Sequence, residues 1–90
     1  HKGTIENAYT ISNGEYEVIE AEIIETSELI NKEIKNSNLP DELRIGAILR
    51  DKKVIIPRSN FIFKKDDRVV FIVKKESISF VENIFRLSSV

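Results

Sequence analysis

Two pairs of adjacent carboxylates, Asp41-Glu42 and Asp66-Asp67, are the residues of this chain best suited by type to acid–base chemistry. Such a pair divides the work of giving and taking a proton only when its surroundings drive the two acidities apart. Both pairs lie beside turn signals, where acidic side chains accept bonds from backbone N–H groups, and the sequence assigns them that role. Nucleophilic chemistry is no better served. The one histidine is His1, so the serines have no histidine base for a triad. There is no Gly-x-Gly-x-x-Gly and no phosphate-cradling loop ending in Lys-Ser/Thr. The expectation is a chain that is not an enzyme.

A second chemistry to weigh is phosphate binding by Lys52, Lys53, Arg58, Lys64, Lys65, Arg68, Lys74 and Lys75. A nucleic-acid face needs contiguous positive surface, and single strands also need exposed aromatic rings. Phe61, Phe63, Phe71, Phe80 and Phe85 all fall where core residues are expected, and no nucleic-acid motif is present. No nucleic-acid partner is expected.

Ninety residues make one small domain or one lobe of a larger protein, with a core that gains from burial against a partner. The absence of cysteine excludes disulfides and thiolate metal sites, which fits a reducing cytoplasm. No apolar run approaches the roughly 18 to 20 residues that span a bilayer, so no direct membrane insertion is expected. No signal-peptide pattern is visible. The net charge of −1 hides a split. Residues 1–45 hold 4 Lys/Arg against 10 Asp/Glu, and residues 46–90 hold 10 against 5. The halves can pair within the fold or between copies, can leave a weakly anion-binding face, or can simply be solvated.

The elements that would position these groups begin with a hairpin. Gly3 to Ile11 and Glu15 to Ile24 flank Ser12-Asn13-Gly14, and Asn-Gly accepts positive φ at low cost. Ile19, Ala21 and Ile23 alternate with Glu20 and Glu22, giving one buried and one acidic face. Thr26 or Ser27 caps a predicted helix to about Lys35, with Leu29, Ile30 and Ile34 as its stripe. Leu39-Pro40 starts a turn. Arg44 to Arg50 is a predicted strand with Ile45, Ala47 and Leu49 on one face and Gly46 and Ile48 on the other. Gly46 marks a close approach of backbone or ligand. Asp51-Lys52-Lys53 turns the chain into Val54-Ile55-Ile56, which Pro57 closes. Phe61 to Phe63 is a short strand or loop. Val69 to Val73 reads as a central strand buried on both faces. A last helix starts at Ser77 or Ser79, the latter with Glu82 as a capping box, and carries Ile78, Val81, Ile84 and Phe85. The fold class is α+β: a small, mostly antiparallel sheet with two short helices, preceded by a β-hairpin.

The order of these pieces resembles the C-terminal domain of the RCK regulators of potassium transport, the TrkA-C type. That family runs through a "Gly-Lys-x-Leu" helix start, "Leu-Pro", "Ile-x-Ala-Ile-x-Arg", "Ile-Ile-Pro" and "Gly-Asp-x-Val-x-Val". Here the matches are Leu29 to Ile34, Leu39-Pro40, Ile45-Gly46-Ala47-Ile48-Leu49-Arg50, Val54-Ile55-Ile56-Pro57-Arg58 and Asp67-Arg68-Val69-Val70-Phe71. They cover roughly residues 17 to 86. Asn31 and Asp66 stand where the family has glycine, and these are the non-glycine residues that best tolerate left-handed backbone.

The resemblance implies a division into residues 1–16, a leading hairpin strand or linker from an upstream lobe, and residues 17–90, the RCK C-terminal domain. It implies a cytoplasmic regulator, peripheral at the inner face of the membrane, that contacts a membrane potassium transporter subunit through the full-length protein. NAD or ATP would belong to a Rossmann lobe absent from these residues, so no cofactor is expected here. Lobes of this type usually form homodimers or pack on a sister RCK lobe. Some family members bind cyclic di-AMP between lobes, which implies ligand contacts at Arg44, Ile45, Ile56, Pro57 and Arg58. The arginines could meet phosphates and the apolar residues a base. The reading favoured over this one makes Ile45 and Ile56 dimer-core residues and pairs the arginines with Asp41, Glu42 or a partner's acidic face.

Overall fold

The computed structural model describes residues 5–85. Five strands form one antiparallel sheet: β1 (Ile5–Ile11), β2 (Tyr16–Glu22), β3 (Arg44–Arg50), β4 (Lys53–Ile55) and β5 (Arg68–Lys74). Their spatial order is β1-β2-β5-β3-β4. A single α-helix among the described residues, α1 (Ile78–Phe85), crosses one face. The α+β class holds, with one α-helix where two were expected.

The hairpin between β1 and β2 turns where Asn-Gly stands, with Asn13 at φ 57° and Gly14 at φ 86°. Ile19, Ala21 and Ile23 are buried as the alternation requires. They join Ile48, Val69, Phe71 and Val73 on an inner face that packs against Val81, Ile84 and Phe85 of α1. The Phe71 and Phe85 rings stack at 5.4 Å between centroids. Leu29, Leu43 and Phe63 from the long connections complete this core. Phe80 is an exception to the expectation for the aromatics, at 49% exposed on the far side of α1.

The central strand β5 corrects the expectation of burial on both faces. Val69, Phe71 and Val73 are buried, while Val70 and Ile72 are only half-buried on the outer face, which no described element covers. The pairing register sets the rows of that face. Tyr9, Val18, Ile72 and Arg44 lie side by side across four strands. The next row is Asn7, Glu20, Val70 and Ala47, and the one beyond is Glu22, Arg68, Leu49 and Val54. Ile11, Tyr16 and Lys74 form the row at the other end.

β3 also departs from simple alternation. A bulge lies between Ile45, opposite Phe71, and Ala47, opposite Val70. One extra residue re-phases the strand, so Ile45 shares the inner face with Ile48 while Ala47 and Leu49 face outward. A Cβ at Gly46 would meet only the Val70 carbonyl, at 3.7 Å, an ordinary contact. The glycine marks the bulge rather than a crowded backbone.

The predicted helix from Thr26 or Ser27 to Lys35 is not formed. Its N–H groups are used across the chain instead: Asn31 N–H donates to Phe63 O at 2.9 Å, Ile34 N–H to Phe61 O at 3.0 Å and Lys35 N–H to Ser59 O at 2.9 Å. Asn31 is left-handed, at φ 68°, and Glu33 is extended, so no helical run survives. Only a 3-10 turn, Ile34–Asn36, remains. Ser27 instead donates its hydroxyl to Ile84 O at 2.9 Å and accepts Leu29 N–H at 3.1 Å, tying this segment to α1. Phe61 to Phe63 forms a single bridge, Ile62 opposite Glu33. The start of α1 differs too: a 3-10 turn, Lys75–Ser77, runs into it, with extended Lys74 ahead and no side-chain cap.

Candidate functional site

The segments that replaced the helix build a cleft of about 360 Å³ at one end of the sheet. Its wall on one side is the 3-10 turn with Ile34, Lys35 and Ser37. Its floor is the Pro40–Leu43 turn, closed by Leu43 N–H on Pro40 O at 3.1 Å, leading into Arg44 and Ile45. The opposite wall is Pro57, Arg58 and Ser59, fixed by the Lys35–Ser59 bond and by Phe61 N–H on Arg58 O at 3.0 Å. Pro57 lacks an N–H and stands just past β4, where the ladder has ended.

Four of the five residues named from the resemblance therefore line one concavity: Arg44, Ile45, Pro57 and Arg58. Ile56 does not line it and is 74% exposed. Arg44 donates through Nη1 to the carbonyls of Leu43, at 3.0 Å, and Asp41. Neither Arg44 nor Arg58 forms an ion pair among the described residues. With Lys35 they give the cleft three cationic side chains against the single carboxylate of Asp41. The bulge turns Ile45 toward the core yet leaves it half-buried at the cleft. Chemically, the cleft can offer charge-assisted donors to an anion and an apolar wall to a flat group.

Beside it lies a feature that reading the sequence missed. Arg50 grips Asp67 through Nε on Oδ1 and Nη2 on Oδ2, both at 2.7 Å. The Asp67 side chain is 1% exposed. Its Oδ2 also accepts Lys64 N–H at 2.8 Å, and Arg50 Nη2 donates to Ile62 O at 2.9 Å. The guanidinium carbon lies 4.7 Å from the centre of the Phe61 ring. The hydrogen bond to Asp67 raises the Arg50 pKa, burial lowers it, and the charges of Asp67 and Asp51 raise it further. The pair clamps the end of β3 to the turn before β5 and to the 61–64 segment. The signal was available: antiparallel pairing of β3 with β5 sets Leu49 opposite Arg68, so Arg50 must end beside Asp67. Among the described residues no group of three or more His, Asp or Glu could hold a metal ion.

This sheet with its helix on one face, together with the motifs on β3 and β5, defines a small α+β lobe. The sequence matches the TrkA-C domain over residues 18–86, and the chain belongs to that family. It is 34% identical over 87 residues to the Trk system potassium uptake protein TrkA of Azorhizobium caulinodans, across 97% of this chain and 19% of that protein. To the TrkA homolog of Archaeoglobus fulgidus it is 34% identical over 83 residues, 92% of this chain and 19% of that protein. To TrkA of Haemophilus influenzae it is 32% identical over 92 residues, 98% of this chain and 20% of that protein. The chain thus spans about a fifth of the length of these relatives. A solved RCK domain with cda superposes with a TM-score of 0.67 at 16% identity, over 74% of this chain and 94% of that one, which shows a shared fold.

Proposed function

We propose that this chain is a non-catalytic regulatory lobe of a larger cytoplasmic protein that controls a membrane potassium transporter, and that it acts by assembling with a second lobe. The observation that carries this reading is the family match over residues 18–86, joined to relatives that are potassium uptake proteins. A lobe with one covered and one open sheet face is suited to the role, because regulation by assembly needs a surface whose burial differs between two states. Any NAD or ATP would be handled elsewhere in the full-length protein, and the site would be peripheral at the inner face of the membrane. The test is rubidium uptake by cells whose full-length protein lacks residues 18–86. Uptake that no longer responds to the regulator supports the reading; uptake and its control left intact overturn it.

A second reading has its own observation. Arg44, Ile45, Pro57 and Arg58 converge on one cleft with two arginines free of ion pairs among the described residues. We infer from this that the cleft takes a nucleotide, with cyclic di-AMP first among candidates. The guanidinium groups would hold phosphates and the apolar wall would meet a base. A thermal-shift series with cyclic di-AMP, ATP, ADP, NAD and NADH at fixed protein concentration tests it. A ligand at about 100 times its dissociation constant adds about 2.7 kcal/mol. For a domain this small that raises the Tm by about 10 °C or more. No rise with any of the five leaves sensing to another lobe.

A further inference from the structure

We propose that Arg50, which does not line the cleft, is the residue that positions it: through Phe61 and Ile62 it sets where Lys35 and Arg58 stand relative to Arg44. This rests on the nucleotide reading of the cleft and adds to it a residue outside the cleft's lining. β3 carries Arg44 at its start, directly in the cleft, and Arg50 at its end. The other two cations belong to segments outside the sheet. Arg58 stands between the end of β4 and Phe61, and Lys35 hangs on the same stretch by its N–H bond to Ser59 O at 2.9 Å. Ile34 N–H on Phe61 O, Phe63 N–H on Lys32 O and Asn31 N–H on Phe63 O continue that small ladder, at 3.0, 3.0 and 2.9 Å.

The Arg50–Asp67 pair fastens this ladder to the sheet. Among the described residues, the side-chain hydrogen bonds that reach residues 59–64 from β3 and from the turn before β5 are Arg50 Nη2 on Ile62 O, at 2.9 Å, and Lys64 N–H on Asp67 Oδ2, at 2.8 Å. The guanidinium also lies against the Phe61 ring, whose edge-to-face neighbour Phe63 is fully buried. The two bonds to the buried carboxylate hold the guanidinium fork in one orientation. One side chain thus grips two consecutive residues. Phe61 N–H closes a turn onto Arg58 O at 3.0 Å, so a shift of Phe61 moves Arg58. Phe61 O holds Ile34, the neighbour of Lys35, so the same shift moves Lys35. Charge-assisted bonds weaken with a change of distance or angle, so the affinity of the cleft for an anion depends on the spacing that Arg50 enforces.

Isothermal titration calorimetry with cyclic di-AMP, well below the melting temperature of every variant, tests this. Arg50→Lys keeps the positive charge beside Asp67, but one ammonium cannot fork the carboxylate, reach Ile62 O and lie on the Phe61 ring together. Its Kd is expected to rise about tenfold, as for the loss of one charge-assisted hydrogen bond to the anion. Phe61→Leu leaves the ion pair whole and should weaken binding in the same direction, which decides the matter if Arg50→Lys folds poorly. Ile84→Val, buried in α1 and outside the cleft, should lower the Tm with the Kd unchanged. Amide hydrogen exchange gives a readout that needs no ligand. In Arg50→Lys the Ile34, Lys35 and Phe61 amides should speed up by more than those of the β2–β5 ladder. An unchanged Kd in the folded variants overturns the positioning role and leaves the cleft reading standing. A Kd that rises equally in Ile84→Val, or exchange that speeds up uniformly, also overturns it, since either marks a merely structural residue. A parent chain that binds no cyclic di-AMP overturns the cleft reading itself, and this inference with it.

Discussion

β3 carries an arginine at each end, and the two have opposite fates. Arg50 lies in a fork-to-fork pair with a carboxylate that is 1% exposed, and its Nη2 also donates to the Ile62 carbonyl. Arg44 is exposed and reaches only the carbonyls of the turn before it. Residue type is the same and the strand is the same. What differs is the neighbour across the sheet: a buried Asp67 beside one, the half-buried Ile72 opposite the other. Arg50 is consumed by the fold, and Arg44 is left available for something outside it. At the two ends of one strand, the burial of the neighbouring carboxylate separates an arginine held by the fold from one that is exposed.

The sharpest way to break that comparison is to remove each arginine in turn. Arg50→Leu leaves Asp67 buried with one backbone N–H for company. Losing one partner of a fully buried pair costs about 3–5 kcal/mol. The Arg50 side chain is 30% exposed, so water can replace part of the loss and about 2–3 kcal/mol is expected. Urea unfolding should show this as a fall in midpoint at constant slope. Arg44→Ala should shift stability by less than about 0.5 kcal/mol. Equal losses would end the distinction between the two ends. The pH dependence of the intact pair follows from its sign. The raised Arg50 pKa gives stability that is fully present below the unfolded-state value and lost as pH rises through the folded one. Both lie in strong alkali, so between pH 6 and 9 the arginine side of the pair should contribute no slope to stability.

The next effect concerns binding rather than folding. In the double variant Arg44→Ala/Arg58→Ala, the melting-temperature rise of about 10 °C expected with cyclic di-AMP should vanish. The Tm without ligand should stay within about 3 °C of the parent, as expected for exposed side chains. An undiminished rise would place the nucleotide elsewhere. A collapse of the ligand-free protein would make these arginines framework after all.

The sequence made parts of this legible, for reasons that lie in particular residues. Asn13-Gly14 and the Ile19-Ala21-Ile23 alternation specify the hairpin and its buried face locally, so they could be read directly. The family motifs located Arg44, Ile45, Pro57 and Arg58, which the fold brings to one cleft. The segment from Ser27 to Lys35 was misread because Leu29, Ile30 and Ile34 have helical spacing. Its backbone is claimed instead by Ser59, Phe61 and Phe63, about thirty residues downstream in sequence, and no local pattern reports that. The bulge at Gly46 was invisible for a similar reason: it is a property of pairing with β5. The half-buried outer face of β5 was hidden because an apolar run reads alike whether its second face meets the core or lies uncovered.

Left-handed residues offer the finest contrast, again between positions that look alike. Asn31, Asp66 and Lys52 sit at φ 68°, 74° and 66°. Asn31 and Asp66 pass their N–H groups to Phe63 O and Ile23 O at 2.9 and 2.8 Å, so their conformation is fixed by long-range bonds. Lys52 follows Asp51, at φ 52°, in the two-residue turn between Arg50 and Lys53, which has the positive φ pair of a type I′ turn. Lysine gains nothing there from its side chain, and left-handed backbone costs an ordinary residue about 1–2 kcal/mol. Glycine relieves that cost but loses more freedom on folding, by about 0.5–1 kcal/mol. Lys52→Gly should therefore raise stability by about 0.5–1 kcal/mol, and thermal unfolding should show it as a Tm higher by about 2–8 °C. Asn31→Gly and Asp66→Gly should gain less, a few tenths of a kcal/mol, because these side chains already tolerate the geometry. A larger gain at Asn31 than at Lys52 would mean that its long-range bond holds the backbone against real strain.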